Sequence, residues 1–187
     1  MMTNFESCKV PAIAHGIDLL EQGVIRNKTN MQFAKDIMKS VTNQYVHFNA
    51  ETCHPIASYG SFYPQLLADP ARYIEPQPEL RQSLEQLRSR GVKLFLGTNS
   101  HFEYMNVIME TTLGQDWQQL FDLNLANCQK PVFFRDKERP FYCVDESSPN
   151  MLGTQVTNAA HMIPHNSYLE GNANMVHQFF MRQLGKD

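Results

Sequence analysis

The chain has 187 residues, 42% of them hydrophobic and only 19% charged, with a formal net charge of −3. That length suits one domain, or one core with a small appendage. The slight negative charge argues against nucleic acid or an anionic membrane as the main partner.

The first third reads as helical. Ala12, Ile13, Ile17, Leu19, Leu20 and Val24 fit one amphipathic helix ending near Gly23. Thr29 or Asn30 can cap a second, carrying Met31, Phe33, Ala34, Ile37, Met38, Val41, Tyr45 and Val46. Asn49 to Tyr63 is irregular, broken by Pro55 and Gly60, and a short helix is expected around Leu66-Leu67. The pattern changes at Pro76-Gln77-Pro78, which sets expected domains of 1–76 and 77–187.

Beyond Pro78, helix and strand alternate. Leu80, Leu84 and Leu87 line one helix face, and Gly91 follows as a C-terminal stop. The run Val92-Lys93-Leu94-Phe95-Leu96-Gly97 reads as a strand buried on both faces of a parallel sheet. Thr98-Asn99-Ser100 is expected to cap a helix bearing Tyr104, Val107, Ile108 and Leu113. Trp117, Leu120 and Phe121 are expected in the core, and Leu123–Ala126 as a second buried strand. Val132–Phe134 and Phe141–Val144 read as a hairpin, followed by a long irregular loop over Asp145–Ser167, so that hairpin and loop fill about 131–168. A last helix starts near Gly171-Asn172.

Alternating order implies right-handed crossovers, which place the carboxyl ends of the strands on one edge, where ligands bind in open α/β sheets. Two features fall there: Thr98-Asn99-Ser100 after one strand and Lys130 after the next. Thr98 brings a hydroxyl, Asn99 and Ser100 bring backbone N–H groups, and Lys130 brings a point charge. Together they suit a phosphoryl group in transfer.

The run Lys93 to Ser100 resembles the second motif of haloacid-dehalogenase-like phosphohydrolases. Leu113-Gly114-Gln115-Asp116-Trp117 through Asp122 is similar to the cytosolic purine 5′-nucleotidase branch and its nucleotidase domain-containing relatives. Lys130-Pro131-Val132-Phe133-Phe134 resembles that branch's third motif, Arg139-Pro140-Phe141 agrees, and Gly171-Asn172-Ala173 resembles the approach to the fourth motif. The resemblance covers 79–145, with a weaker match at 168–187. Residues 1–76 resemble, loosely, the helical cap this branch inserts. It implies an α/β fold, a partial haloacid-dehalogenase-like, Rossmann-like parallel sheet with a helical cap segment. It further implies magnesium-dependent phosphomonoester hydrolysis, in which Thr98 and Lys130 act catalytically and hold the phosphoryl group with Asn99 and Ser100.

The family's nucleophile and acid lie in an Asp-x-Asp motif, and no two aspartates here have that spacing. The aspartates of the fourth motif, expected just after Asp187, are also missing. This chain alone is therefore expected to be inactive and to bind no magnesium: a fragment or short form, or a noncatalytic binding module. The expected ligand is a nucleoside monophosphate or another small phosphomonoester, with no nucleic acid and no membrane. The strand at 92–97 would lack its neighbour, which invites self-association.

The remaining signals are weaker. Met1–Val10 has neither a basic nor an apolar region, so no signal peptide is read. The four cysteines, Cys8, Cys53, Cys128 and Cys143, form no Cys-x-x-Cys pair, which suggests free thiols and a cytoplasmic location. His161 and His165 have zinc-pair spacing, but Pro164 interrupts them. His47, Cys53 and His54 read as packed or solvated, and His101 as a surface group. Tyr59, Phe62, Tyr63 and Tyr73 read as a small core of the cap rather than a platform for a base.

Overall fold

The computed structural model describes residues 9–45, 62–145 and 152–186. The chain falls into two compact units, Met1–Ala68 and Asp69–Asp187. Pro76-Gln77-Pro78 lies inside the second unit, where the Gln77 N–H donates to the Thr112 carbonyl at 2.8 Å.

In the first unit, α1 (Lys9–Glu21) packs on α2 (Asn30–Tyr45), and α3 (Phe62–Ala68) follows. Thr29 and Gln32 form a capping box at the start of α2. The Thr29 hydroxyl accepts from the Gln32 N–H at 3.2 Å, and the Gln32 side chain accepts from the Thr29 N–H at 2.9 Å. Gly16 lets the two helices close, because a Cβ there would overlap the Phe33 ring at 1.7 Å.

The second unit is a five-stranded open sheet with helices on both faces, an α/β, partial Rossmann-like arrangement. Its strands are β1 (Phe95–Gly97), β2 (Leu123–Ala126), β3 (Phe141–Val144), β4 (Leu152–Val156) and β5 (Ser167–Glu170), in the order β1-β2-β5-β3-β4. β1, β2 and β5 run parallel, whereas β3 is antiparallel to both β5 and β4, so the expected parallel sheet is mixed. On one face Leu123, Leu125, Phe141 and Tyr168 pack against Met175, Val176 and Phe179 of α7 (Ala173–Gln183). On the other, Ala126 and Leu169 pack against Trp117, Leu120 and α5 (Phe102–Leu113), the last through Met105 and Leu113. Arg81 of α4 (Pro78–Ser89) ties that layer together: it grips Asp116 through two bonds of 2.7 and 2.9 Å and the Leu113 carbonyl through a third.

Four expectations are corrected. β1 is three residues long and Phe95 is 49% exposed, because among the described residues β1 ends the sheet and pairs along one edge. Residues 132–134 are not a strand. They belong to a single helical turn, α6 (Val132–Arg135), in which the Asp136 N–H bonds the Val132 carbonyl. β3 instead pairs with β4, which lies inside the stretch read as irregular, and with β5, which starts at its last residue. The residue capping α5 is His101, and its side chain makes no cap bond; Thr98-Asn99-Ser100 forms a turn before it.

Candidate functional site

β1 and β2 are neighbours and parallel, so their carboxyl ends emerge side by side. The loops leaving them are laced together. The Thr98 N–H donates to the Leu125 carbonyl at 2.9 Å, the Cys128 N–H to the Thr98 carbonyl at 2.9 Å, and the Asn127 N–H to the Ser100 carbonyl at 2.8 Å. Asn99 brackets the Lys130 peptide: its Oδ1 accepts from the Lys130 N–H at 2.7 Å and its Nδ2 donates to the Lys130 carbonyl at 3.3 Å. The Lys130 ammonium returns to the Gly97 carbonyl at 2.9 Å. Thr98, Asn99, Ser100 and Lys130 are therefore brought to one edge, with Lys130 and Asn99 exposed and Thr98 and Ser100 half-buried.

The Ser100 N–H is not free for a ligand, since it donates to Thr98 Oγ1 at 3.1 Å. That bond still leaves the Thr98 hydroxyl proton available to donate outward. The loop after β2 is backbone-constrained. Asn127 and Gln129 both take left-handed conformations, with φ of 49° and 53°, and the Lys130–Pro131 peptide is cis. Between them Cys128 is buried, with Sγ 3.6 Å from the Leu125 carbonyl. Burial pushes its thiol up to about 11 against the opposing pull of Lys130, so it stays protonated near neutral pH and is no nucleophile.

Two side chains that carried no role in the sequence reading complete this edge. Arg139 donates through Nη1 to the Cys128 carbonyl at 2.8 Å and pairs through Nη2 with Glu170 at 2.9 Å, and both side chains are largely buried. Glu170 closes β5, the next parallel strand, and its other oxygen lies 3.5 Å from Gln129 Nε2. The Arg139 carbonyl in turn accepts from Asn172 Nδ2 at 2.7 Å, and Asn172 caps α7. The signal was the run Arg139-Pro140-Phe141 and the pair Gly171-Asn172, which the sequence shows without showing that the topology joins them.

The donors at this edge do not fit magnesium. They are a hydroxyl, a carboxamide and an ammonium, whereas Mg²⁺ takes carboxylate oxygens, and Glu170 is held by Arg139. Among the described residues no three His, Cys, Asp or Glu side chains converge. The other expected groups lie elsewhere. His165 places Nδ1 2.8 Å from the Phe121 carbonyl, and His161 sits in an exposed turn. His101 is half-buried and engaged. Trp117 and Phe121 are core, with the indole N–H on Asn106 Oδ1 at 3.1 Å. Tyr73 belongs to the second unit, exposed and beside the Arg72 guanidinium, so it is not part of a cap core. His47, Cys53, His54 and Tyr59 lie outside the described residues, as do the side chains of Phe62 and Tyr63.

The model of the 5′ nucleotidase family matches residues 1–187. The chain is 29% identical over 158 residues to human 5′-nucleotidase domain-containing protein 1, covering 82% of this chain and 32% of that protein. It is 38% identical over 87 residues to human 5′-nucleotidase domain-containing protein 2, covering 46% of this chain and 17% of the relative. A Dictyostelium discoideum 5′-nucleotidase domain-containing protein is 32% identical over 120 residues, 60% of this chain and 20% of its own length. The chain thus spans about a third or less of the curated relatives it matches.

Proposed function

The chain belongs to the 5′ nucleotidase family, and on that premise we propose that it forms the phosphate-holding part of a nucleoside monophosphate phosphohydrolase of haloacid-dehalogenase type. The observation that carries the reading is the juxtaposition of the β1 and β2 ends, with Asn99 fixing the Lys130 backbone and the ammonium on the Gly97 carbonyl, one residue before Thr98. A phosphoryl oxygen would take a bond from the Thr98 hydroxyl and one from Lys130, whose ammonium spends one of three N–H donors on Gly97. Arg139 and Glu170 act at one remove, holding the Cys128 carbonyl and hence the loop that presents Lys130.

Within this chain the reading stops at binding. Hydrolysis of the family type uses an aspartate nucleophile, and no Asp-x-Asp pair is present in these 187 residues. The carboxylate at the edge, Glu170, is committed to Arg139. The second reading, a binding module without turnover, rests on that pair. The free thiols Cys128 and Cys143 suit the reducing interior of a cell.

The test is titration of the isotopically labelled chain with inorganic phosphate and with a nucleoside monophosphate. Saturable shifts at Thr98, Asn99 and Lys130, lost in Lys130→Ala, are expected. Shifts that survive the substitution, or that map elsewhere, would overturn the assignment.

A further inference from the structure

A cavity of about 380 Å³ opens on the face of the sheet that α5 covers, lined by Phe102, Asn106, Gln118, Cys143, Val144, Asn166 and Ser167. That volume lies in the range of small-molecule sites. None of these lining residues carries a charge. The bonding of the polar ones is complementary. Asn106 Oδ1 is taken by the Trp117 indole N–H, which leaves its Nδ2 to donate. Gln118 Nε2 reaches Ser167 Oγ at 3.3 Å, which leaves its Oε1 to accept and the serine proton to donate. Phe102 supplies a flat apolar surface and Val144 a second apolar contact.

We propose that this cavity binds a neutral planar heterocycle carrying a hydrogen-bond acceptor beside a donor, the class of nucleobases and nicotinamide. The acceptor meets Asn106 Nδ2 or the Ser167 hydroxyl, the donor meets Gln118 Oε1, and the ring lies against Phe102. Absence of charge selects against carboxylates and phosphates, whose desolvation here would go uncompensated. The assignment goes beyond the phosphate site and does not rest on it.

The test uses the full chain with uracil and nicotinamide as probes, and with benzoate and cyclohexanecarboxamide as charged and non-planar comparators, followed by amide chemical shifts. Saturable shifts at Phe102, Gln118 and Ser167 are expected for the first two probes only. Phe102→Ala and Gln118→Leu should each weaken binding about fivefold to tenfold, and Lys130→Ala should leave it unchanged. If a variant does not fold, saturation transfer from the Phe102 ring to the probe in the unaltered chain decides. No saturable shift, equal response to the comparators, binding retained in both cavity variants, or no transfer from Phe102 would overturn the proposal. Loss of phosphate binding in Lys130→Ala reports on the other site alone.

Discussion

Asn99 holds Lys130 by its main chain, accepting from its N–H at 2.7 Å and donating to its carbonyl at 3.3 Å. A single side chain therefore fixes the peptide carrying the ammonium to the turn carrying the hydroxyl. Asn99→Ala removes both bonds and should cost about 1 kcal/mol of stability, since both groups are exposed and regain water. Asn99→Asp keeps the acceptor for the Lys130 N–H and adds a negative charge beside the phosphate. It should melt closer to the unaltered chain than Asn99→Ala does and yet bind phosphate more weakly. Thermal melts and phosphate titrations on the two variants separate positioning from charge.

The isolated chain should release no phosphate from a nucleoside monophosphate or an aryl phosphate, with or without added magnesium. Oriented donors stabilise a transition state but supply no nucleophile. A colorimetric phosphate assay measures this. Turnover above background that disappears in Lys130→Ala would refute it and require a carboxylate at the β1–β2 edge.

Asp122 joins the starts of the same two strands. Its Oδ2 accepts from the Leu94 N–H at 2.9 Å, its Oδ1 from Lys93 at 3.0 Å, and its own N–H reaches the Leu94 carbonyl at 2.7 Å. Burial pushes its carboxyl upward, but the Leu94 N–H and the Lys93 ammonium together outweigh burial and hold it below the usual carboxylate range. Its folded-state pKa is lowered, so the stabilisation is complete above the unfolded value of about 3.9. It is lost as pH falls from there through the folded value. Asp122→Asn should destabilise the chain at pH 7 by about 1–2 kcal/mol, with the half-exposed Lys93 contributing little. It should also flatten the acid limb of stability below pH ~4. Urea unfolding between pH 7 and pH 3 checks both.

β1 ends the sheet with Phe95 exposed, so self-association along that strand is expected. Light scattering coupled to size exclusion should show a concentration-dependent mass, and Phe95→Lys should shift it toward the monomer. A monomer at every concentration, with Phe95→Lys indistinguishable from it, would defeat the expectation.

The parts of the fold legible in the sequence were those with strong periodicity or continuous burial. α2, α4, α5, α7 and β2 follow from apolar spacing and from Thr29, Gly91 and Asn172 as punctuation. β4 and β5 were not legible. Leu152–Val156 is an edge strand, mostly exposed and polar, and Ser167–Glu170 offers only Tyr168 and Leu169 to the core. The three apolar residues at 132–134 looked like a strand, yet α6 buries only Phe133 and leaves Phe134 exposed. At the candidate site, Thr98, Asn99, Ser100 and Lys130 were visible because strand ends can be placed from local pattern. Arg139 and Glu170 were not, because their pairing depends on β5 lying between β2 and β3, an order that no local signal encodes.

The bond from Lys130 to Gly97 has one further consequence. In a parallel ladder alternate residues face the neighbour, and here Thr98 bonds β2, so the Gly97 carbonyl points to the side of β1 away from it. The lysine thus occupies a main-chain acceptor that an incoming strand would claim. A strand added along β1 would displace that one N–H donor from Gly97 and leave all three for a phosphate. Strand addition along β1 would then strengthen anion capture, and by linkage an anion would strengthen strand addition by the same factor.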